Sequence, residues 1–173
     1  PRHFERTAAV VEELRPTGLR HALRTELTNG KAFAPNTVDC LLVNTTGELR
    51  HFYRHATVVF VGKSLTAKGG QNPIEPGALG TAMLFGPHME NFRPIAAEFV
   101  ASDGAVQVPD AAALETAIAK LLADSARREQ LGANALGVVQ RNQGAVERTA
   151  EMIAAALCRL PRPSEAGVLP KPA

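Results

Sequence analysis

The chain has 173 residues, enough for one domain with a substantial core and too few for two ordinary ones. Hydrophobic residues make up 45% and charged residues 21%, with both signs interspersed, a composition that excludes disorder outside the ends. A formal net charge of +2, without any block of lysines or arginines, excludes the electrostatic footprint of a nucleic-acid binder and leaves room for a local anion site.

No apolar run approaches the roughly 18 to 20 residues that a transmembrane helix requires, so this segment is expected not to span a membrane. Cys40 and Cys158 are far apart and lack metal or redox spacing, and both read as small core residues in a reducing compartment. The chain opens on Pro1-Arg2-His3 with neither an initiator methionine nor a signal peptide, and its true N-terminus is expected upstream.

In chain order, Phe4 to Arg15 is rich in helix formers and sets Val10, Val11 and Leu14 on one face, with Pro16-Thr17-Gly18 as the stop. Leu19 to Thr25 reads as a short strand, and Val38 to Val43 as a buried one after a polar loop. Thr45-Thr46-Gly47 then turns into a helix from Glu48 to Ala56. Thr57 to Val61 is a β-branched apolar run too short for a typical helix. A Gly-rich loop through Gly69-Gly70 leads to a short helix opening at Pro73, and Ala82 to Phe85 is the next strand, closing on Gly86-Pro87-His88. A helix through Glu98, a strand from Ala105 to Val108 and two or three alanine-rich helices from Ala111 to Leu160 follow. The Pro-rich tail, residues 161–173, is expected to be disordered. Apolar strands alternating with helices predict a doubly wound parallel α/β domain, which places ligands at the carboxyl ends of the strands.

The loops after Val43, Val61, Phe85 and Val108 therefore carry the chemistry. In Gly62 to Pro76 the glycines allow close backbone approach, and Asn72 and Pro73 read as an N-cap and first helical residue. Such a turn leaves free amides and a positive dipole end for a phosphate. Glu75 has two acceptor oxygens suited to a vicinal diol, although Asn72 with Glu75 also matches a capping box. Thr46 either caps its helix or borders a base or sugar; His88 either reaches an anion or is a satisfied surface residue; Arg2 either forks onto a phosphoryl group or is solvated. No Ser/His/Asp arrangement, metal spacing or carboxylate pair points to a catalytic residue in this chain.

Taken together, Pro1-Arg2-His3 with Glu5-Arg6, Asn44 to Leu49, Val61 to Leu65, Gly69-Gly70-Gln71-Asn72-Pro73-Ile74-Glu75-Pro76 and Gly86-Pro87-His88 through Asn91-Phe92 resemble, in order and spacing, the C-terminal domain of Kdo (3-deoxy-D-manno-octulosonic acid) transferases. The resemblance covers residues 1 to 122 by motif and the terminal helices by pattern. It implies a Rossmann-like doubly wound sheet, the C-terminal half of a GT-B glycosyltransferase, over residues 1–160 and incomplete at its N-terminal edge. The family's domain begins with a strand, a helix and a second strand, so one edge or central position of the sheet is expected to be unfilled.

By the same resemblance Arg2 contacts the CMP phosphate, the Thr46-Gly47-Glu48 turn lies near the cytosine, and Ser64, Gly69 and Gly70 line the phosphate site. Asn72 meets the phosphate–ribose end, Glu75 the ribose hydroxyls, and His88 completes the substrate-binding set. The implied donor is CMP-Kdo, and the implied acceptor is the lipid A precursor of lipopolysaccharide, held by an N-terminal domain that also supplies the catalytic base and the membrane-associating surface. No cofactor or metal is implied, and the full-length protein would work at the cytoplasmic face of the bacterial inner membrane. This chain by itself is expected to be soluble and inactive. Asn44, Thr46, Lys63 and Gln71 stand where the family commonly has Asp, Met, Gly and His. The rival expectations are a GT-B transferase or sugar-nucleotide epimerase using a uridine nucleotide, and a non-catalytic nucleotide-binding module.

Overall fold

The computed structural model describes residues 6–27 and 32–159, so Arg2, His3 and the Pro-rich tail lie outside the described residues. Helix α1 spans Thr7–Leu14 and half-buries the expected face of Val10, Val11 and Leu14, then tightens into a 3-10 turn at Arg15–Thr17. Strands β1 (His21–Leu23) and β2 (Cys40–Leu42) pair in parallel, with His21 opposite Cys40 and Leu23 opposite Leu42. Just before both strands, the Arg20 guanidinium forks onto Asp39, Nε to Oδ2 at 2.8 Å and Nη2 to Oδ1 at 2.6 Å. This clamp fixes the register from its open end. Cys40, expected in the core, is only half-buried, because β2 is three residues long and buries Leu42 instead.

Helix α2 covers Leu49–Tyr53 and stops short of the expected Ala56, because His55 and Ala56 donate to carbonyls three residues back, Phe52 at 3.0 Å and Tyr53 at 3.2 Å. Strand β3 (Val59–Val61) is followed by the long loop to α3 (Ile74–Ala78), β4 (Met83–Phe85), α4 (Arg93–Ala101) and β5 (Val106–Gln107). Strand β4 lies between β3 and β5, all parallel. The predicted α/β class is present, but among the described residues the strands form a pair and a triplet rather than one continuous sheet. Phe60, in the middle of β3, is 36% exposed, so one face of that strand is poorly covered.

Alternation along β4 divides the core. Met83 and Phe85 join Phe99 of α4 and Ala135, Val138 and Val139 of α6 (Ser125–Asn142). Ala82 and Leu84 turn the other way, toward Leu121 of α5 (Ala111–Ala123) and Leu131 of α6. Period-two side chains thus bury β4 on both faces, which is why its sequence is continuously apolar. Asp110 and Asp124 cap α5 and α6 by accepting from the amides of Ala113 at 2.8 Å and Arg127 at 2.9 Å. The last helix, α7, runs Ala145–Arg159. At Gly132, α6 approaches the turn after α3 so closely that a Cβ would overlap the Gly80 carbonyl.

Candidate functional site

Because the strands among the described residues are parallel within their sheets, the loops that follow them leave from carboxyl ends. After β1 and β2, Thr25 and Asn44 exchange bonds, the Thr25 amide donating to Asn44 Oδ1 at 3.1 Å and Asn44 Nδ2 donating to Thr25 Oγ1 at 3.0 Å. Glu48 accepts from the Thr45 hydroxyl and from Arg24 Nη2 at 2.9 Å. The Thr45 hydroxyl, with the Arg24 guanidinium behind it, holds the Glu48 carboxyl below its ordinary range, so it is anionic at neutral pH. Thr46 and Gly47 are exposed at the head of this turn, Gly47 at φ +83°. The alternative in which Thr46 caps α2 is not realised, since the helix start has no side-chain cap bond.

The Gly-rich loop is closed at its base. Gly70 donates to the Lys63 carbonyl at 3.0 Å and Gln71 to the Gly62 carbonyl at 3.0 Å, while Gly69 donates to Glu90 Oε2 at 2.7 Å. Amides are therefore occupied at three consecutive residues of the loop, two by the end of its own strand and one by Glu90. Gly69 and Gly70 have φ of +108° and +65°; a Cβ would lie 2.8 Å from Asn91 Nδ2 at the first and 2.5 Å from Met89 Sδ at the second. Only glycine fits both conformation and space there. Lys63, without that freedom, is held at φ +58°, exposed, with no ion-pair partner among the described residues.

Ser64 is fully buried; its hydroxyl donates to the Val61 carbonyl at 2.5 Å and accepts from the Gly86 amide at 2.8 Å. It acts as a rivet between the loops after β3 and β4. The Ser64 carbonyl accepts from the His88 amide at 2.9 Å, and Gly86 has no room for a Cβ against it. His88 Nδ1 lies 3.3 Å from Glu90 Oε1. Asn72 Oδ1 accepts from the Ile74 amide at 2.9 Å and Asn72 Nδ2 donates to Glu75 Oε1 at 3.3 Å, but α3 opens at Ile74 with Pro73 rather than Asn72 as its N-cap, and no reciprocal capping box forms. Glu75 is exposed, and its charge, second to burial, raises the pKa of the half-buried Tyr53 phenol on α2.

The structure thus draws Ser64, Gly69, Gly70 and His88 into one bonded cluster, links Asn72 to Glu75, and sets Glu48 in a second cluster with Arg24. Arg24, Thr45 and Glu90 join these clusters unforeseen. Glu90 had one available signal, its place two residues after His88 in a turn already singled out. A groove of ≈ 440 Å³ lies beside the same turn, lined by Pro87, Glu90, Arg93, Val100 and Gln107, and excludes the Gly-rich loop. Among the described residues no His/Cys/Asp/Glu cluster could hold a metal, and no helix is long and apolar enough to cross a membrane.

Parallel strands with helices on both core faces, and loops of glycine, asparagine and carboxylate at their carboxyl ends, place the chain in the doubly wound α/β class of ligand-binding domains. No protein-family model matches it. It is 36% identical over 154 residues to the 3-deoxy-D-manno-octulosonic acid transferase of Bordetella pertussis, a match covering 88% of this chain and 35% of that protein. It is 33% identical over 156 residues to the transferase of the same description in Haemophilus influenzae, with 88% and 35% covered. The crystal structure of the C-terminal CMP-Kdo binding domain of WaaA from Acinetobacter baumannii superimposes with a TM-score of 0.73 at 32% identity, covering 81% of this chain and 71% of that one. The chain belongs to the Kdo transferase family and has the fold of a GT-B C-terminal domain. It spans about a third of the length of the curated relatives it matches.

Proposed function

We propose that this chain is the donor-binding domain of a Kdo transferase, residues 1–160 forming one unit that holds CMP-Kdo at the carboxyl ends of β1 to β4. The observation that carries this reading is the pair of loop clusters just described, on a fold shared at 32% identity with a domain named for CMP-Kdo binding. In this reading the Thr46-Gly47-Glu48 turn borders the cytosine. Lys63, Asn72 and His88 face the phosphate, with Arg2 as a further phosphate contact, and Gly69 and Gly70 form the wall behind it. Ser64 supports that wall from beneath. Glu75 accepts from the ribose hydroxyls, its two oxygens matching a vicinal diol. With the amides of Gly69, Gly70 and Gln71 already bonded, side-chain donors supply the charge, Lys63 among them.

Joined to an N-terminal domain, the protein would move Kdo from CMP-Kdo to the lipid A precursor at the cytoplasmic face of the inner membrane. Inversion at the anomeric centre would use a base from that domain to deprotonate the acceptor hydroxyl. The test is calorimetric titration of this chain with CMP and UDP beside Glu75→Ala. Preferential CMP binding, weakened at least tenfold in the variant, is the expected result, in line with the loss of hydrogen bonds to a charged acceptor. Preference for UDP would move the chain to another transferase or an epimerase. Binding of neither would leave a fold without demonstrated function.

A further inference from the structure

We propose that Glu90 is a positioning residue for the donor: its carboxylate straps the Gly69–Gly70 loop to the turn after β4 and keeps the wall of the phosphate site in its binding shape. The inference rests on the donor-site reading above. The two loops are riveted at depth by Ser64, whose hydroxyl bonds both Val61 and Gly86. Six residues lie between Lys63 and Gly70, and of these Thr66, Ala67 and Lys68 are exposed. The outer end of that arch is tied across by the Gly69 amide on Glu90 Oε2 at 2.7 Å and the Asn91 amide on the Gly69 carbonyl at 3.2 Å. Of these two ties only the first uses a side chain, so a single substitution cuts it.

The tie is also the stronger of the two, being a short bond to an ionised acceptor. Glu90 is held in turn, with His88 Nδ1 3.3 Å from its other oxygen. The side chain of Glu90 is 35% exposed and lies outside the buried core, so its loss leaves the fold standing while freeing the arch. A loop that must be ordered on binding weakens affinity; one already ordered does not.

The experiment compares wild type, E90Q and E90A by calorimetric titration with CMP and with cytidine, alongside melting temperature and hydrogen exchange at the Gly69 amide. E90A is expected to bind CMP about tenfold more weakly, cytidine unchanged, with Gly69 exchanging faster and melting within a few degrees of wild type. E90Q keeps an oxygen that accepts from Gly69 and is expected to recover most of the CMP affinity. CMP binding by E90A equal to wild type overturns the proposal. Tighter binding also overturns it, by showing the carboxylate in competition with the phosphate. If E90A fails to fold, E90Q decides: Gly69 exchange and CMP affinity that are kept together or lost together support the strap, and fast exchange with near-wild-type affinity, or slowed exchange with lost affinity, overturns it. Wild type that does not bind CMP overturns the donor-site reading and this one with it, a result distinct from binding that ignores Glu90.

Discussion

At the residue scale, Lys63 is where stability and function pull apart. An L-residue at φ +58° carries backbone strain that glycine would relieve. Lys63→Gly is expected to raise folding stability by about 0.5 to 1 kcal/mol after the entropy gained by the unfolded chain is set against it. The same change removes a cation from the proposed phosphate site, so CMP titration should show weaker binding in the more stable protein. Gly86 is the opposite case. Its missing side chain is what lets the Ser64 carbonyl and Leu65 lie against it. Gly86→Ala is expected to cost roughly 3 kcal/mol or more in urea unfolding, since both partners are backbone in a buried contact and neither can step aside.

At the element scale, the β1–β2 pair has few buried residues, only Ala22 and Leu42, and leans on the Arg20–Asp39 fork. That fork, chiefly the Arg20 side-chain bond, lowers the Asp39 carboxyl from 3.8 to about 2. A carboxylate whose folded pKa lies below its unfolded one contributes stability that is fully present above the unfolded value and lost as pH falls through the folded one. The contribution is therefore whole above pH about 4 and gone near pH 2. Unfolding followed against pH should show Asp39→Asn less stable than wild type at neutral pH, the two converging between those limits. Salt should narrow the difference, because the pair is exposed. The helices tell a similar story of local preference meeting tertiary demand: α2 ended a turn earlier than its sequence suggested, because its last amides bond three residues back.

At the scale of the whole molecule, a ligand that binds only the folded state stabilises it by mass action. CMP at a hundred times its Kd is expected to raise folding stability by about 2.7 kcal/mol, visible as a higher melting temperature. The same CMP concentration should give Glu75→Ala a much smaller rise. Sequence patterning alone determined the parallel α/β class, the loops proposed to form the site and the motifs that carry the family resemblance. Those signals are short-range: strand alternation, glycine in left-handed turns and Asn-Pro before a helix all act within a few residues. Tertiary structure decided which loop atoms are occupied, that Ser64 faces inward, that Arg24 meets Glu48 and that Glu90 meets Gly69. These pairs stand 24 and 21 residues apart, and they meet only because packing sets parallel strand ends side by side. Chain-local pattern has no term for that distance, and the division of the strands into two sheets likewise depends on which backbone edges find partners in space.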